Sequence, residues 1–300
     1  MSAANIARSV TRSLRIIALP LTPHCNVKGK PVEHLTYYHF VTPPDSKKSS
    51  SWINWAVVKS SDLWAGLGKA KEGTWKRRAF LYGERLVDRL DFEELALKSL
   101  DPSLGPKISD IVPHGQKAKS TPVLPMVYPS SVCSAPIPHL HSLLEKRSPR
   151  HKKGFIFWLA VSPLTAPFMI IPVIPNFPFF FCIWRSWSHY RAYKASQYLD
   201  GFLQQGAIVP EGSPQLDAIY AKYAPPRPPP ESADTTTSEK PQPSSEEKSS
   251  SSSSILLLSK EAVPELQKML ELPEDSTFAT DMYRALKQAR LRLEGSASAK

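Results

Sequence analysis

From Gly154 to Trp184 the chain runs 31 residues without a charged side chain or a histidine. As one straight helix that run would reach about 46 Å, well beyond the roughly 30 Å hydrocarbon core of a bilayer. Prolines at 163, 167, 172, 175 and 178 forbid the straight helix. Pro175-Asn176-Phe177-Pro178 is the strongest breaker and predicts a turn carried by Pro175, Asn176 and Pro178. The first arm, 154–172, is just long enough to span. The second, from Phe179, meets Arg185 too soon to span unless Trp187 and Tyr190 extend it. Lys146, Arg147, Arg150, Lys152 and Lys153 precede the run, and Arg185, Arg191 and Lys194 follow it. Both ends therefore prefer one side of a membrane, which fits a hairpin or re-entrant insertion better than a single crossing. Trp158, Trp184, Trp187, Tyr190 and Tyr193 are placed for an interfacial belt. The competing reading is a helical hairpin buried in the core of a soluble domain.

A single apolar run excludes a multi-span carrier. Three cysteines, far apart and odd in number, exclude a disulfide scaffold, and 30 prolines beside 12 glycines exclude a collagen-like chain. The formal net charge is +11, concentrated early: residues 1–78 hold 13 basic and 4 acidic side chains. Arg8, Arg12 and Arg15 precede the first acid, Glu33, and Ile6, Val10, Leu14 and Ile17 share one helical face. Arginine-bearing, serine-containing and acid-free, residues 1–13 read as a mitochondrial transit segment.

Residues 14–153 read as a mixed α/β region. Leu14–Leu21, Leu35–Val41 and Val123–Tyr128 are rich in β-branched and aromatic residues and end in turn signals, so they predict a small sheet. Helices are predicted over Trp52–Lys69, from the cap Thr74 along Trp75, Ala79, Tyr82, Leu86 and Leu90, and over Ile137–Lys146. Asp91 and Glu94 have capping-box spacing for a short helix ending near Leu100. Residues 154–223 hold the apolar hairpin and an amphipathic helix. Residues 224–254, with their prolines and a serine run, read as a disordered linker. Beyond it, 255–300 reads as a tethered helical pair: Ser259 caps one helix, and Thr280–Leu293 forms the other, a docking appendage.

No catalytic constellation emerges. Gly66-Leu67-Gly68-Lys69 lacks the first glycine and the Ser/Thr of a phosphate-binding loop, and neither G-x-S-x-G nor H-E-x-x-H occurs. His24, Cys25, His34 and His39 match no metal-ligand spacing. Lys76-Arg77-Arg78 leads into a helix carrying Glu84 and Asp88, which reads as a solvated face, not a nucleic-acid contact. The expectation is a non-enzyme without cofactor or metal. The candidate functional side chains are Arg185, His189 and Arg191, just past the apolar arm; His189 has an unperturbed pKa near 6.5. The competing role for these is anchorage to lipid headgroups.

Several strings together resemble a known family. They are Leu19-Pro20-Leu21-Thr22, Arg78-Ala79-Phe80-Leu81-Tyr82-Gly83-Glu84-Arg85-Leu86, Val127-Tyr128-Pro129 and Pro172-Val173-Ile174-Pro175-Asn176, then Trp184-Arg185-Ser186-Trp187-Ser188-His189-Tyr190-Arg191 and Tyr283-Arg284-Ala285-Leu286. In this order the set is similar to the fungal mitochondrial K⁺/H⁺-exchange-related proteins, over 14–223 and again in the C-terminal helices. The resemblance implies the mitochondrial inner membrane and a part in potassium–proton exchange and matrix volume control. It transfers no catalytic residues. Exchange needs titratable or carbonyl-rich sites at membrane depth, and 154–184 has no Asp, Glu, His, Lys or Arg. A subunit or regulator of an exchanger, in contact with membrane lipids and a protein partner, is the expectation. The alternative is a soluble or peripheral matrix adaptor or assembly factor. The expected fold is α+β, mainly helical, with a small sheet, a proline-broken membrane hairpin and the tethered pair.

Overall fold

The computed structural model describes residues 14–23, 34–42, 52–107, 123–165, 177–224, 256–273 and 276–298. A four-stranded mixed sheet lies at its centre, in the order β2–β1–β3–β4. Strands β1 (Arg15–Pro20) and β2 (Thr36–Val41) are antiparallel, with Ile17 opposite His39. Strands β3 (Leu124–Tyr128) and β4 (Ile208–Gly212) run parallel to β1, with Ile16 beside Met126 and Leu124 beside Ile208. Pro125 lies just before the two positions that β3 shares with β1, so its missing N–H costs nothing there. At the exposed edge, Pro210 and Glu211 of β4 discourage pairing with another chain.

The helices are α1 (Trp52–Gly68), α2 (Trp75–Asp88), α3 (Phe92–Ser99), α4 (Pro136–Thr165), α5 (Phe177–Gln204), α6 (Pro214–Tyr223), α7 (Ala262–Met269) and α8 (Phe278–Ser298). The three expected strands and the α1 and α2 helices fall within a residue or two of their predicted limits. Thr74 does cap α2, accepting from the Arg77 N–H at 3.4 Å. Strand β4 was not foreseen.

Side chains of β1 alternate between two cores. Ile16 and Ala18, with Tyr38, Phe40, Leu124 and Met126, meet α3, α4 and α5 through Leu97, Leu140, Leu144, Ala195, Leu199 and Phe202. Ile17 and Leu19, with Leu21, Leu35 and Tyr37, meet α6, α7 and α8 through Leu216, Tyr220, Val263, Leu266, Phe278, Met282 and Ala289. The sheet is covered on both faces, which is why β1 is apolar from Ile16 to Pro20 instead of alternating with polar residues. The expectation for the C-terminal pair is corrected here. It is not an appendage for docking but one of the two helical layers, and it seals Ile17, Leu19 and Tyr37 from water.

Helices α4 and α5 carry the two arms of the long apolar run. Pro178 stands in the first turn of α5, where an N–H has no helical acceptor anyway. Residues 166–176, with the turn residues Pro175 and Asn176, lie outside the described residues. The base of the hairpin packs in the protein core. Toward the tip, Ile156, Phe157, Leu159 and Leu164 of α4 and Phe180 and Ile183 of α5 stay exposed, Leu164 by 73 % and Phe180 by 59 %. No helix among the described residues is long and apolar enough to cross a membrane. The described apolar part of α4, from Gly154 to Thr165, reaches only about 18 Å.

Candidate functional site

The first turn of α3 gathers three carboxylates, and all three are used at long range. Asp91 holds the position before α3, yet its side chain makes no capping bond. Instead its carboxylate accepts from Arg147 of α4 at 2.7 Å and Arg292 of α8 at 3.1 Å, with Arg150 at 3.4 Å. Glu93 pairs with Arg147 and accepts from Arg292 at 3.4 Å. Glu94, buried, is gripped by Arg185 of α5 through both oxygens, one at 3.0 Å, and accepts from Ser188 Oγ at 3.3 Å. The cap falls to another chain segment: Gln288 Oε1 accepts from the Phe92 N–H at 3.0 Å. Carboxylates at a helix N-terminus also gain from its dipole.

Behind Glu94 lie two histidines. His151 of α4 and His189 of α5 are buried, and their Nδ1 atoms face each other at 3.1 Å. His189 Nδ1 is 4.0 Å from Glu94 Oε1. Helical spacing assembles the group: Arg147 and His151 share one face of α4, and Arg185, Ser188 and His189 share one face of α5. Gly154 makes the approach possible, because a Cβ there would lie 2.8 Å from the His189 ring.

Burial and charge set the protonation. Burial pushes the His151 imidazole down to about 4. Burial, followed by the positive charge of Arg185, lowers His189 as well. For Glu94, burial alone would raise the carboxyl, but the Arg185 hydrogen bond and charge outweigh it and hold it below the usual range. The site at neutral pH is thus a carboxylate clamped by a guanidinium beside two uncharged imidazoles. A pair of neutral imidazoles has one Nδ1 proton at most to share across that contact. His151 Nε2 finds no hydrogen-bond partner among the described residues. On the outer side, a pocket of about 280 Å³ is lined by Asp91, Lys146, Arg147, Arg150 and Arg292.

Residues 15–203 match the model of a family described as mitochondrial K⁺–H⁺ exchange-related. The chain belongs to that family. Glu94, Arg147, His151, Arg185 and His189 all lie within the stretch this exchange-related family shares, whereas Arg292 lies beyond it. The chain is 25 % identical over 170 residues to the uncharacterized protein YDL183C of Saccharomyces cerevisiae, covering 50 % of this chain and 52 % of the relative. It is 24 % identical over 188 residues to the uncharacterized protein C23H3.12c of Schizosaccharomyces pombe, covering 61 % of this chain and 72 % of that one. The match thus spans about half the length of the Saccharomyces relative. No solved structure matches the chain.

Of the sequence-derived candidates, Arg185 and His189 meet in this cluster. Arg191 does not: it lies half-buried on the same helix near Lys98, whose ammonium is lowered by burial and then by the Arg191 charge. The Lys98 ammonium stands over the Trp184 ring at 5.0 Å. Pro178 is exposed and far along α5 from the cluster. Sequence reasoning missed Glu94 and His151. Local pattern places Glu94 in a helix cap, and His151 stands among the basic residues that flank the apolar run. The available signal was a buried-type helix, Phe92–Ser99, opening with two adjacent glutamates that a solvent-facing cap does not require.

Proposed function

We propose that the protein works at the mitochondrial inner membrane in potassium–proton exchange and matrix cation and volume homeostasis, as a non-enzymatic subunit or regulator. Family membership supports the process. One observation carries the membrane association: the hairpin tip, where Phe157, Leu164 and Phe180 remain exposed on adjoining helices whose bases are packed in the core. Contiguous exposed apolar surface of this kind marks a membrane or protein contact. The subunit role rests on charge. The run 154–184 holds no Asp, Glu, His, Lys or Arg, and Glu94, His151 and His189 are buried beside Arg147 and Arg185 in the protein core. The protein partner is the exchanger itself, with K⁺ and H⁺ as the transported ions.

Three measurements test this. Alkaline carbonate extraction of mitochondria should leave the chain in the membrane pellet, and Phe157→Asp with Phe180→Asp should release it. Loss of the chain should slow mitochondrial swelling in potassium acetate. Reconstituted alone in potassium-loaded vesicles, the protein should give no potassium-dependent proton flux. Flux that is abolished by His189→Ala would make it the exchanger. Release of the unaltered chain by carbonate favours the peripheral adaptor.

A further inference from the structure

We infer that Glu94, His151 and His189 form a binding site for a divalent transition-metal ion. One ligand atom from each side chain lies within 4.8 Å of the other two. Two nitrogens bound at 2.0–2.1 Å to a tetrahedral zinc are about 3.3–3.4 Å apart, and the two Nδ1 atoms are at 3.1 Å. Glu94 Oε1, 4.0 Å from His189 Nδ1, has less than about 1 Å to close to complete a three-ligand face. Ligation needs both Nδ1 atoms free of protons, so each neutral ring would carry its proton on Nε2 when an ion is bound. Arg185 holds both carboxylate oxygens and Ser188 donates to Oε1, hydrogen bonds of the kind that orient ligating carboxylates in metal sites; an ion at Oε1 would share that oxygen with them. The ligands come from three helices, so an ion would tie α3, α4 and α5 together. The inference stands on side-chain geometry and is independent of where the protein resides.

Donor chemistry sets the class of ion. Two imidazoles and one carboxylate suit zinc, cobalt, nickel or copper; magnesium and calcium prefer all-oxygen shells. Arg185 cancels the Glu94 charge, so the ion enters without an excess of negative charge. That favours an exchangeable site whose occupancy follows metal supply over a permanently filled structural one. An exposed decoy lies on the same helix, His141 with Glu145 at 4.0 Å.

The test uses the purified 300-residue chain, stripped with chelator and titrated with Co²⁺, then with Zn²⁺ as competitor. One Co²⁺ per chain, with the intense visible bands of low-coordinate cobalt bleached by Zn²⁺, is the expected result. His151→Gln and His189→Gln should each weaken binding by more than about 10-fold, whereas His141→Gln should leave it unchanged. Equal binding by all four proteins, or none by the unaltered chain, overturns the site. Should a core variant fail to fold, zinc K-edge absorption of the unaltered protein decides. Two nitrogen neighbours near 2.0–2.1 Å support the assignment, and an all-oxygen shell overturns it.

Discussion

Glu94 on α3 and Arg185 on α5 meet inside the protein from positions 91 residues apart, with Arg185 donating to both carboxylate oxygens. Each ion offsets the burial of the other, with Ser188 adding a further hydrogen bond to Glu94. Removing one partner of such a pair leaves an uncompensated buried charge and typically costs about 3–5 kcal/mol, whereas replacing both with apolar residues of similar volume is often near neutral. Arg185→Met and Glu94→Leu should each destabilise by that amount in urea unfolding. The double variant should recover most of the loss. Additive losses in the cycle would show that the two do not act as a pair.

Gly154 gives a second test, because two opposed effects can be separated. Alanine in a helix is favoured over glycine by roughly 0.8–1 kcal/mol. At Gly66 in α1 a new Cβ meets nothing within 4 Å, so Gly66→Ala should stabilise. At Gly154 the same Cβ would press on the His189 ring at 2.8 Å. Overpacking costs about 1–3 kcal/mol, so Gly154→Ala should be a net destabiliser by roughly 1 kcal/mol. Matched thermal unfolding of the two variants checks the sign of each.

His39 on β2 provides a pH dependence away from the cluster. Its ring meets Phe278 edge-on at 5.0 Å, and burial, followed by the Arg15 charge, lowers it to about 4. Unfolded, it would titrate near 6.5. The native state therefore refuses a proton that the unfolded chain accepts, so this contribution is intact above 6.5 and is lost as pH falls toward 4. The slope is at most about 1.4 kcal/mol per pH unit for one proton. His39→Gln should flatten the stability profile in that window, measured by denaturant unfolding at successive pH values. An unchanged slope would mean that His39 is already protonated in the native state.

The second helical layer predicts a strong truncation effect. Leu266 is fully buried against the face of the sheet that carries Ile17 and Leu19. Leu266→Ala should cost about 2–5 kcal/mol. Ending the chain at residue 254 should leave a protein that aggregates when expressed, whereas an appendage could be removed without loss of solubility.

Local pattern carried the reading of the elements. Strand β1 announced itself because Ile16, Ile17 and Leu19 are bulky and apolar on both faces, and α2 because Thr74 supplies its own cap. Strand β4 was hidden because Ile208 is its only buried position, and Val209, Pro210 and Glu211 imitate a loop. The site was half legible. Arg185 and His189 stood out as polar groups at the edge of an apolar run, but their partners come from elsewhere. Asp91 and Glu94 satisfy a local capping pattern and a distant ion-pair network with the same side chains, and only the fold decides between the two. The C-terminal layer escaped for a similar reason: the stripe of Met282, Ala285 and Ala289 states that something is covered, but not what.

The route of strand β1 through the molecule has a consequence for how the protein is made. Arg15 already donates to the carbonyl of Leu270, 255 positions later. A chain delivered from its N-terminus, whether from a ribosome or through a translocation pore, presents Ile17 and Leu19 long before residues 262–289 arrive to cover them. For that interval the central strand is an apolar surface awaiting its lid. Such long-range closure is slow, and the waiting state is prone to aggregate. The protein should therefore depend on chaperone shielding during biogenesis, and an import arrest before residue 262 should trap it in chaperone-bound form.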